Sequence, residues 1–298
     1  MDAGTRTAEL QRLLGAQARL GRPLSGGAHA ATYLVDLDGT ELVARWFPDD
    51  DPAATRELKV LAVLAGHDTA TATAGDSRSA TSTPIPLPVP ALIAHAGSLI
   101  VTTRVPGGPP PADADPLVLA EPLARALSVI HAHSPGALPV RDPVGPHARA
   151  AYARGSRESG LRPPDPGVLA AADVLSHGDF WCGNALWSGD GEPRLTGMVD
   201  WSGAHRAPRG ADVAWCRQDL ALLGSPAAAD LFAAEYCRLT GFDPAHVHDW
   251  DVQATWRAWG RVGSWADNYA GIGRPDLTAA ALEAHFAIWV DRLRAAER

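Results

Sequence analysis

Lysine and cysteine are scarce in this chain of 298 residues. Of its 26 basic side chains only Lys59 is a lysine, so chemistry that ordinarily uses a lysine must use Lys59 or an arginine. The three cysteines, Cys182, Cys216 and Cys237, are far apart and form no C-x-x-C pair. This spacing argues against a disulfide framework and a structural zinc site, and it predicts free thiols.

Long apolar runs and basic runs are also missing. No segment approaches the ~20 apolar residues of a membrane span, and the N-terminus lacks the apolar stretch of a signal peptide. Acidic residues outnumber basic ones 34 to 26, giving a net charge of −8. We therefore expect a cytoplasmic chain that binds neither membrane nor nucleic acid. Its length allows a sizeable core in one large domain or two lobes.

Strand patterns are concentrated in the first third of the chain. Asp38-Gly39 separates two β-prone runs, which is a strong indication of a hairpin. The periodicity predicts, in chain order, a helix over 7–20, hairpin strands over 30–37 and 41–47, a helix over 53–65, and strands over 91–95 and 99–105.

Two stretches rich in proline or small polar residues interrupt these patterns. Residues 66–88 are predicted to form a mobile loop inserted in the first region. Residues 105–116 are the best linker, so we divide the chain into an N-terminal lobe, 1–105, and a C-terminal lobe, 106–298. Helical patterns dominate the second part. The prediction is an α+β fold with a small antiparallel β lobe, a larger mainly helical lobe and a site in the cleft between them.

The segment HGDFWCGN, residues 177–184, concentrates polar chemistry between two apolar runs. An Asp held in a tight loop, Asp179, can take a proton from a hydroxyl, and the side-chain oxygen of Asn184 can bind magnesium. Asp200 follows an apolar strand and supplies a second carboxylate. A base, then Asn, then a carboxylate after a short hairpin is the order used in phosphoryl transfer from a nucleotide.

The sequence resembles the aminoglycoside phosphotransferase family, small-molecule kinases with a bilobal, protein-kinase-like fold. His177-Gly178-Asp179 with Asn184 matches its H-G-D-x-x-x-x-N catalytic loop, and Val199-Asp200-Trp201 matches its metal-binding segment. The other matching positions are Ser25-Gly26-Gly27-Ala28-His29 for the phosphate loop, Leu42-Val43-Ala44-Arg45 for the strand with the phosphate-contacting cation, Glu57 for its helical partner, Val101 to Arg104 for the hinge, and Asp212 for the loop brace.

The resemblance implies a role for each matched residue. Asp179 would act on the acceptor hydroxyl, with His177 bracing its loop, and Asn184 and Asp200 would hold Mg²⁺. ATP or GTP would be bound by the N-terminal lobe, through Ser25, Gly26, Gly27, Arg45, Glu57, Thr103 and Val105. The sequence departs from the family in having few glycines in the phosphate loop, and an arginine where many relatives have a lysine.

The acceptor would be a small molecule with a hydroxyl, plausibly an antibiotic such as an aminoglycoside or macrolide. A kinase of a small metabolite, such as an amino alcohol or sugar, is the alternative, as is a silent nucleotide-binding regulatory protein. We expect a monomer or a homodimer. Candidate acceptor-binding residues are Trp265, Asp267 and Asp276, although residues 200 to 298 contain no acidic cluster that argues for a polycationic acceptor.

Two other motifs suggest different chemistry. Cys182 invites a thiol-hydrolase hypothesis, but its loop supplies no evident oxyanion site, and a buried spectator thiol is the favoured interpretation. The segment HVHDWD is interpreted as a solvated turn entering a helix rather than a metal site. Its chelating side chains are His246, His248, Asp249 and Asp251.

Overall fold

The computed structural model describes residues 1–24, 30–70, 87–141, 144–171, 173–189 and 192–298. Its order of elements is a five-stranded antiparallel sheet followed by a mainly helical region, as the sequence predicts. In the described residues, no helix is both long and apolar enough to cross a membrane.

The N-terminal sheet has the strand order β1-β2-β3-β5-β4. Asp38 and Gly39 form the turn between β2 and β3 with φ of 51° and 81°, which is the left-handed backbone that a tight hairpin requires. The strands are β1 (Arg19–Pro23), β2 (Ala31–Leu37), β3 (Thr40–Trp46), β4 (Leu92–Ala96) and β5 (Leu99–Thr103).

The predicted first helix, 7–20, is wrong at both ends. Helix α1 covers Ala3–Leu14, because Asp2 caps its first turn and Gly15, at φ 105°, ends it. The next residues form β1, in which Leu20 pairs with Val35. Leu20 therefore contributes to the sheet rather than to the apolar face of the helix.

The predicted mobile loop, 66–88, is shorter than expected at both ends. Helix α2 extends over Pro52–Ala70, beyond the predicted end at residue 65. At the other end, Leu87 packs against the main core, and the carbonyl of Pro88 accepts a hydrogen bond from Met198 N at 3.1 Å. Residues 71–86 lie outside the described part of the chain.

The second region is built mainly of helices around one apolar core. Helix α6 is buried along most of its length, because α3, α7, α8 and α10 pack around it. Its neighbours bury the large aromatic side chains Phe232, Tyr236, Trp256 and Trp289. The helices are α3 (Pro116–Ala132), α4 (Arg149–Glu158), α5 (Pro166–Leu169), α6 (Gly210–Leu222), α7 (Pro226–Thr240), α8 (Val247–Ala258), α9 (Ala266–Gly271) and α10 (Ala279–Ala296).

Two short antiparallel strand pairs position the polar loops of this region. Strand β6 (Asp173–Ser176) pairs with β9 (His205–Pro208), and β7 (Ala185–Ser188) pairs with β8 (Arg194–Met198). Residues 177–184 connect β6 to β7, and residues 199–204 connect β8 to β9. The pairing therefore brings the two loops of the predicted site to the same end of both strand pairs.

Candidate active site

The loops 177–184 and 199–204 are in direct backbone contact. Gly178 has φ 78°, and a Cβ atom placed on it would lie 2.2 Å from the carbonyl oxygen of Gly203. A larger residue would separate the loops, so the glycine of HGDFWCGN is required both for its conformation and for this close approach.

Asp179 is held by two side-chain donors. Trp215 Nε1 donates to its Oδ1 at 3.1 Å, and Asn184 Nδ2 donates to its Oδ2 at 3.1 Å. Burial and the negative charge of Asp200 raise the pKa of Asp179 to about 6, although both hydrogen bonds oppose the shift. Such a carboxylate is ionised at neutral pH and is more basic than a solvated one.

Asn184 is fixed so that one side-chain atom remains available. Its Nδ2 also donates to the backbone oxygen of Asp179 at 2.8 Å, and its own backbone oxygen accepts from Val199 N at 2.9 Å. The amide nitrogen is therefore committed to the loop. This leaves Oδ1, a hard oxygen donor, as the atom with which Asn184 can bind a divalent cation.

Arg45 lies between two carboxylates. Its Nη1 is 2.7 Å from both oxygens of Glu57, and its Nη2 is 2.7 Å from Asp200 Oδ1. Ser202 Oγ donates to the same Asp200 oxygen at 2.7 Å. Asp200 has φ 61°, so a left-handed backbone turns its side chain back toward the sheet at the end of β8.

The pKa values of the two carboxylates that contact Arg45 shift in opposite directions. Burial raises the pKa of Glu57 to about 7 despite the opposing charge of Arg45. Burial also acts to raise the pKa of Asp200, but the charge and hydrogen bond of Arg45 outweigh it and lower that pKa. Burial lowers the pKa of Arg45 less than its two partners raise it. Arg45 therefore stays charged, and Asp200 is the more firmly ionised partner.

Asp212 holds the start of the loop 177–184. Its carboxylate accepts from the backbone nitrogens of His177 at 2.9 Å and Gly178 at 3.1 Å, and it lies 3.2 Å from His131 Nε2. Burial acts to raise its pKa, but the hydrogen bond and charge of His131 prevail and lower the pKa to about 2. His177 is also buried, which lowers its pKa, and its Nε2 is 3.0 Å from the oxygen of Val199.

Of the remaining residues predicted to contact the nucleotide, Thr103 and Val105 are described in the structure and the phosphate-loop residues are not. Thr103 ends β5, and its hydroxyl accepts from Ala91 N at 2.9 Å, while Val105 is buried next to Gly197 of β8. The predicted phosphate loop, with Ser25, Gly26 and Gly27, lies outside the described residues.

The three candidate acceptor residues do not form one group. Trp265 packs edge-on against Trp215, with ring centres 5.5 Å apart, and so adjoins the catalytic loop. Asp267 is exposed on α9. Asp276 is already bound by Arg274 through contacts of 2.9 and 2.7 Å. The carboxylate of Asp276 is therefore neutralised within the protein.

The thiol-hydrolase hypothesis for Cys182 is contradicted by its position. The side chain is fully buried, and burial together with the nearby Asp219 raises its thiol pKa well above the ordinary value. A thiolate nucleophile is therefore strongly disfavoured.

The prediction of a solvated HVHDWD turn was wrong for Asp251. This carboxylate is buried and lies 3.0 Å from both Nε and Nη2 of Arg217. Within the described chain, no group of three or more His, Cys, Asp or Glu side chains is arranged to hold a metal ion.

Several residues of the site carry no recognisable sequence signal. Ser202 contacts the predicted metal ligand, and Trp215 contacts Asp179, yet neither belongs to a motif that the sequence reveals. The only available indication is spacing. Trp215 lies three residues after Asp212 in α6, so both face the same side of one helix.

Comparison with known proteins identifies the class to which this fold and site belong. The family model described as "phosphotransferase enzyme family" (APH) matches residues 21–250. The chain belongs to this family and is a phosphotransferase. A search of curated protein sequences gives no match.

Similar solved structures are distant in sequence. Macrolide 2'-phosphotransferase MphH from Brachybacterium faecium, as the apoenzyme, is 21% identical with a TM-score of 0.59, covering 94% of this chain and 97% of that chain. Aminoglycoside phosphotransferase APH(3'')-Id from Streptomyces rimosus is 22% identical with a TM-score of 0.54, covering 87% and 100%. These similarities confirm the protein-kinase-like fold.

A third similar structure contains a nucleotide analogue. A thermostable mutant of aminoglycoside phosphotransferase APH(4)-Ia, in a ternary complex with AMP-PNP and hygromycin B, is 18% identical with a TM-score of 0.55, covering 94% of this chain and 99% of that chain. Members of the family thus bind ATP analogues and small-molecule substrates.

Proposed function

We propose that this phosphotransferase moves the γ-phosphate of ATP or GTP to a hydroxyl of a small molecule. The observation that carries the proposal is the arrangement of Asp179: its carboxylate is fixed by Trp215 and Asn184, and its pKa of about 6 suits a proton acceptor at neutral pH. Asp179 orients the acceptor hydroxyl and takes its proton as the oxygen bonds to the γ-phosphorus, while the bond from that phosphorus to the β–γ bridging oxygen breaks and ADP or GDP leaves.

The nucleotide side of the mechanism uses Asn184, Asp200 and Arg45. The donor chemistry fits Mg²⁺, because Asn184 Oδ1 and Asp200 Oδ2 are hard oxygens that the hydrogen bonds described above do not use. Bound Mg²⁺ neutralises charge on the nucleotide phosphates. Arg45, which is positioned by Glu57, supplies a guanidinium for a phosphate oxygen.

The test is an acceptor screen that measures ADP formation with Mg²⁺ and ATP or GTP. Aminoglycosides, macrolides and peptide antibiotics are tested first, because the similar structures carry the names of macrolide and aminoglycoside phosphotransferases. Amino alcohols and sugars form the second panel. Acceptor-dependent ADP formation that disappears in Asp179→Asn supports the proposal.

The alternative of a silent nucleotide-binding protein makes the opposite prediction. Such a protein would bind Mg²⁺-ATP without acceptor-dependent turnover in any panel. The presence of Asp179, Asn184 and Asp200 in one site favours catalysis, because a protein that only binds nucleotide has no use for a base facing the acceptor.

A further inference from the structure

Arg257 lies next to the proposed catalytic base. It belongs to α8, and its Cζ atom is 5.1 Å from the centre of a Trp215 ring. The indole nitrogen of that same Trp215 donates to Asp179 Oδ1. One aromatic side chain therefore separates the guanidinium of Arg257 from the carboxylate of Asp179.

Arg257 is partly buried and, unlike the buried arginines Arg45 and Arg217, has no described carboxylate within salt-bridge distance. In the described part of the chain it forms no salt bridge, and its Nε is shielded from solvent without a hydrogen-bond partner. Arg45 and Arg217, by contrast, each contact a buried carboxylate at 3.0 Å or less. Buried charges in proteins are normally paired, so an unpaired one requires an explanation.

The contact with Trp215 does not satisfy the N–H donors of Arg257. The aromatic face offers them no oxygen or nitrogen acceptor, so the guanidinium gains only a cation–π contact from it. Those N–H donors are suited to the two oxygens of a carboxylate or phosphate.

Arg141 and Arg261 lie near Arg257, and Arg56 lies near Arg141. Arg141 Nη1 donates to the carbonyl of Gly203 at 3.3 Å, and Arg261 Nη1 donates to the carbonyl of Arg257 at 3.3 Å. Arg56 Nε donates to the carbonyl of Ser202 at 2.9 Å. Burial, followed by the positive charges of Arg261 and Arg141, lowers the pKa of Arg257, although the negative charges of Asp212 and Asp179 oppose the shift. We call Arg56, Arg141, Arg257 and Arg261 the arginine cluster.

We propose that the arginine cluster, and Arg257 in particular, binds a carboxylate or phosphate group on the acceptor whose hydroxyl reacts at Asp179. This inference rests on the proposed function and adds the charge of the substrate. Arg257 lies over the Trp215 ring and Asp179 lies at its N–H edge, so only a few bonds separate the anionic group from the reacting hydroxyl in the acceptor. Trp265, which packs on Trp215, extends the aromatic wall beside that acceptor.

The alternative is a cationic acceptor, which needs unpaired carboxylates. Asp276, one of the two carboxylates expected to bind it, is held by Arg274. The carboxylate of Asp179 is needed for the hydroxyl, and Asp200 is bound by Arg45. Of the four carboxylates considered, this leaves the exposed Asp267 on α9 to meet a cation, whereas the arginine cluster offers several positive charges, and this balance favours an anion.

Calorimetric binding of four matched sugars tests the proposal: glucose is neutral, glucosamine cationic, gluconate a carboxylate and glucose 6-phosphate a phosphate ester. At low salt, we expect gluconate or glucose 6-phosphate to bind at about 10 mM or below, and at least about 10-fold more tightly than the other two. The better anion distinguishes a carboxylate acceptor from a phosphate one. If neither anion binds better than glucose, or if glucosamine binds best, the proposal is overturned.

Variants locate the effect. Arg257→Gln should weaken binding of the better anion about 10-fold or more, as loss of a charged hydrogen bond does, while glucose binding is unchanged. Arg141→Gln, at an exposed position, should weaken it in the same direction and covers the case in which Arg257→Gln does not fold. Arg12→Gln removes an equal charge from an exposed position on α1 and should have no effect. If Arg257→Gln folds and binds the anion as tightly as the wild type, the assignment is overturned. If Arg257→Gln does not fold, unchanged anion binding in Arg141→Gln overturns it.

Binding of Mg²⁺-ATP is measured in the same preparations, because it separates the two proposals. If wild-type protein binds the anion but not Mg²⁺-ATP, the proposed function fails and the anion site stands as a site of another kind. If Mg²⁺-ATP binds and the anions do not, only the arginine-cluster proposal fails.

Discussion

Arg45 is buried and Arg257 partly buried near the loop 177–184, yet their surroundings differ. Arg45 contacts Glu57 and Asp200, so the protein supplies its countercharges. Arg257 lies against an aromatic ring with other arginines nearby, and although the charges of Asp212 and Asp179 act on it, no described carboxylate forms a salt bridge with it. The difference supports the two proposals made above, a nucleotide contact for Arg45 and an anion contact for Arg257.

The largest expected effect is that of Asp179→Asn, which removes the group that both arginines serve. We expect kcat to fall by at least about 1,000-fold, with little change in the Kd for Mg²⁺-ATP, because the carboxylate acts on the acceptor. Single-turnover kinetics and nucleotide titration measure the two quantities. Near-wild-type turnover would remove Asp179 from the mechanism.

Thermal unfolding serves as the folding control for this variant. A carboxyl whose pKa is raised on folding destabilises the folded state as pH rises through its folded value, here about 6. Asp179→Asn should therefore have an equal or higher Tm than the wild type at pH 8, while the difference shrinks below pH 4. A large fall in Tm at pH 8 would mean that lost activity reflects misfolding.

Substitution of Arg45 tests the arginine that the protein pairs with two carboxylates. Arg45→Ala should lower kcat/KM for ATP. The loss corresponds to about 2 to 4 kcal/mol of transition-state stabilisation, because the variant lacks a charged contact in a closed site. Arg45→Lys should recover part of the loss because it restores the positive charge. Recovery is incomplete because one ammonium cannot fork between Glu57 and Asp200 as a guanidinium does.

Lys59→Ala is the matched control for Arg45. Lys59 is exposed on α2, two residues beyond Glu57 and on another face of the helix. Its removal should leave kcat/KM unchanged. If Lys59→Ala is the crippled enzyme and Arg45→Ala is near normal, the phosphate-contacting cation has been assigned to the wrong residue.

Asp212→Asn tests the brace beneath the loop. An amide has only one acceptor oxygen, so one of the buried backbone N–H groups of His177 and Gly178 loses its partner, at a cost of about 2 kcal/mol in the free energy of unfolding. Because folding lowers the pKa of Asp212 to about 2, its stabilisation is complete above the unfolded value of about 3.9 and is lost as pH falls toward 2. Urea unfolding should show the deficit at pH 7 and less of it at pH 3.

The pH profile separates the carboxylates of the site. Asp179 must be ionised to accept a proton, so kcat/KM should rise about tenfold per pH unit up to about 6 and then level off. Any further inflection near 7 belongs to Glu57, whose protonation weakens its hold on Arg45. Glu57→Gln should abolish that second inflection and retain the first. If the limb near 6 disappears in Glu57→Gln instead, the base is not Asp179.

Local sequence signals predict some elements of the fold better than others. The hairpin at Asp38-Gly39 could be predicted because its turn chemistry is local. Strand β1 was missed, because its sequence RLGRP has neither alternation nor β-branched residues, and it is a strand only by pairing with β2. The early end of α1 follows from Gly15.

The residues of the candidate site likewise fall into those that local sequence signals predict and those that they do not. Asp179, Asn184 and Asp200 were found from the spacing of two motifs, whereas Trp215 and Arg257 come from helices that approach the loop only in the folded chain. The local sequence predicts a solvated Asp251 because it gives no sign of Arg217, which lies 34 positions away. Long-range pairing of this kind has no local signal.

The contacts of Trp215 give the site an optical reporter. Its indole N–H bonds to Asp179, a guanidinium lies over its ring and a second indole meets it edge-on. Indole emission responds to nearby charge, so protonation of that carboxylate, or arrival of an anion beneath the guanidinium, changes the fluorescence of this one residue. The difference spectrum between wild-type protein and Trp215→Phe isolates it from the other nine tryptophans. Binding of a ligand next to Trp215 can then be followed by fluorescence without any turnover.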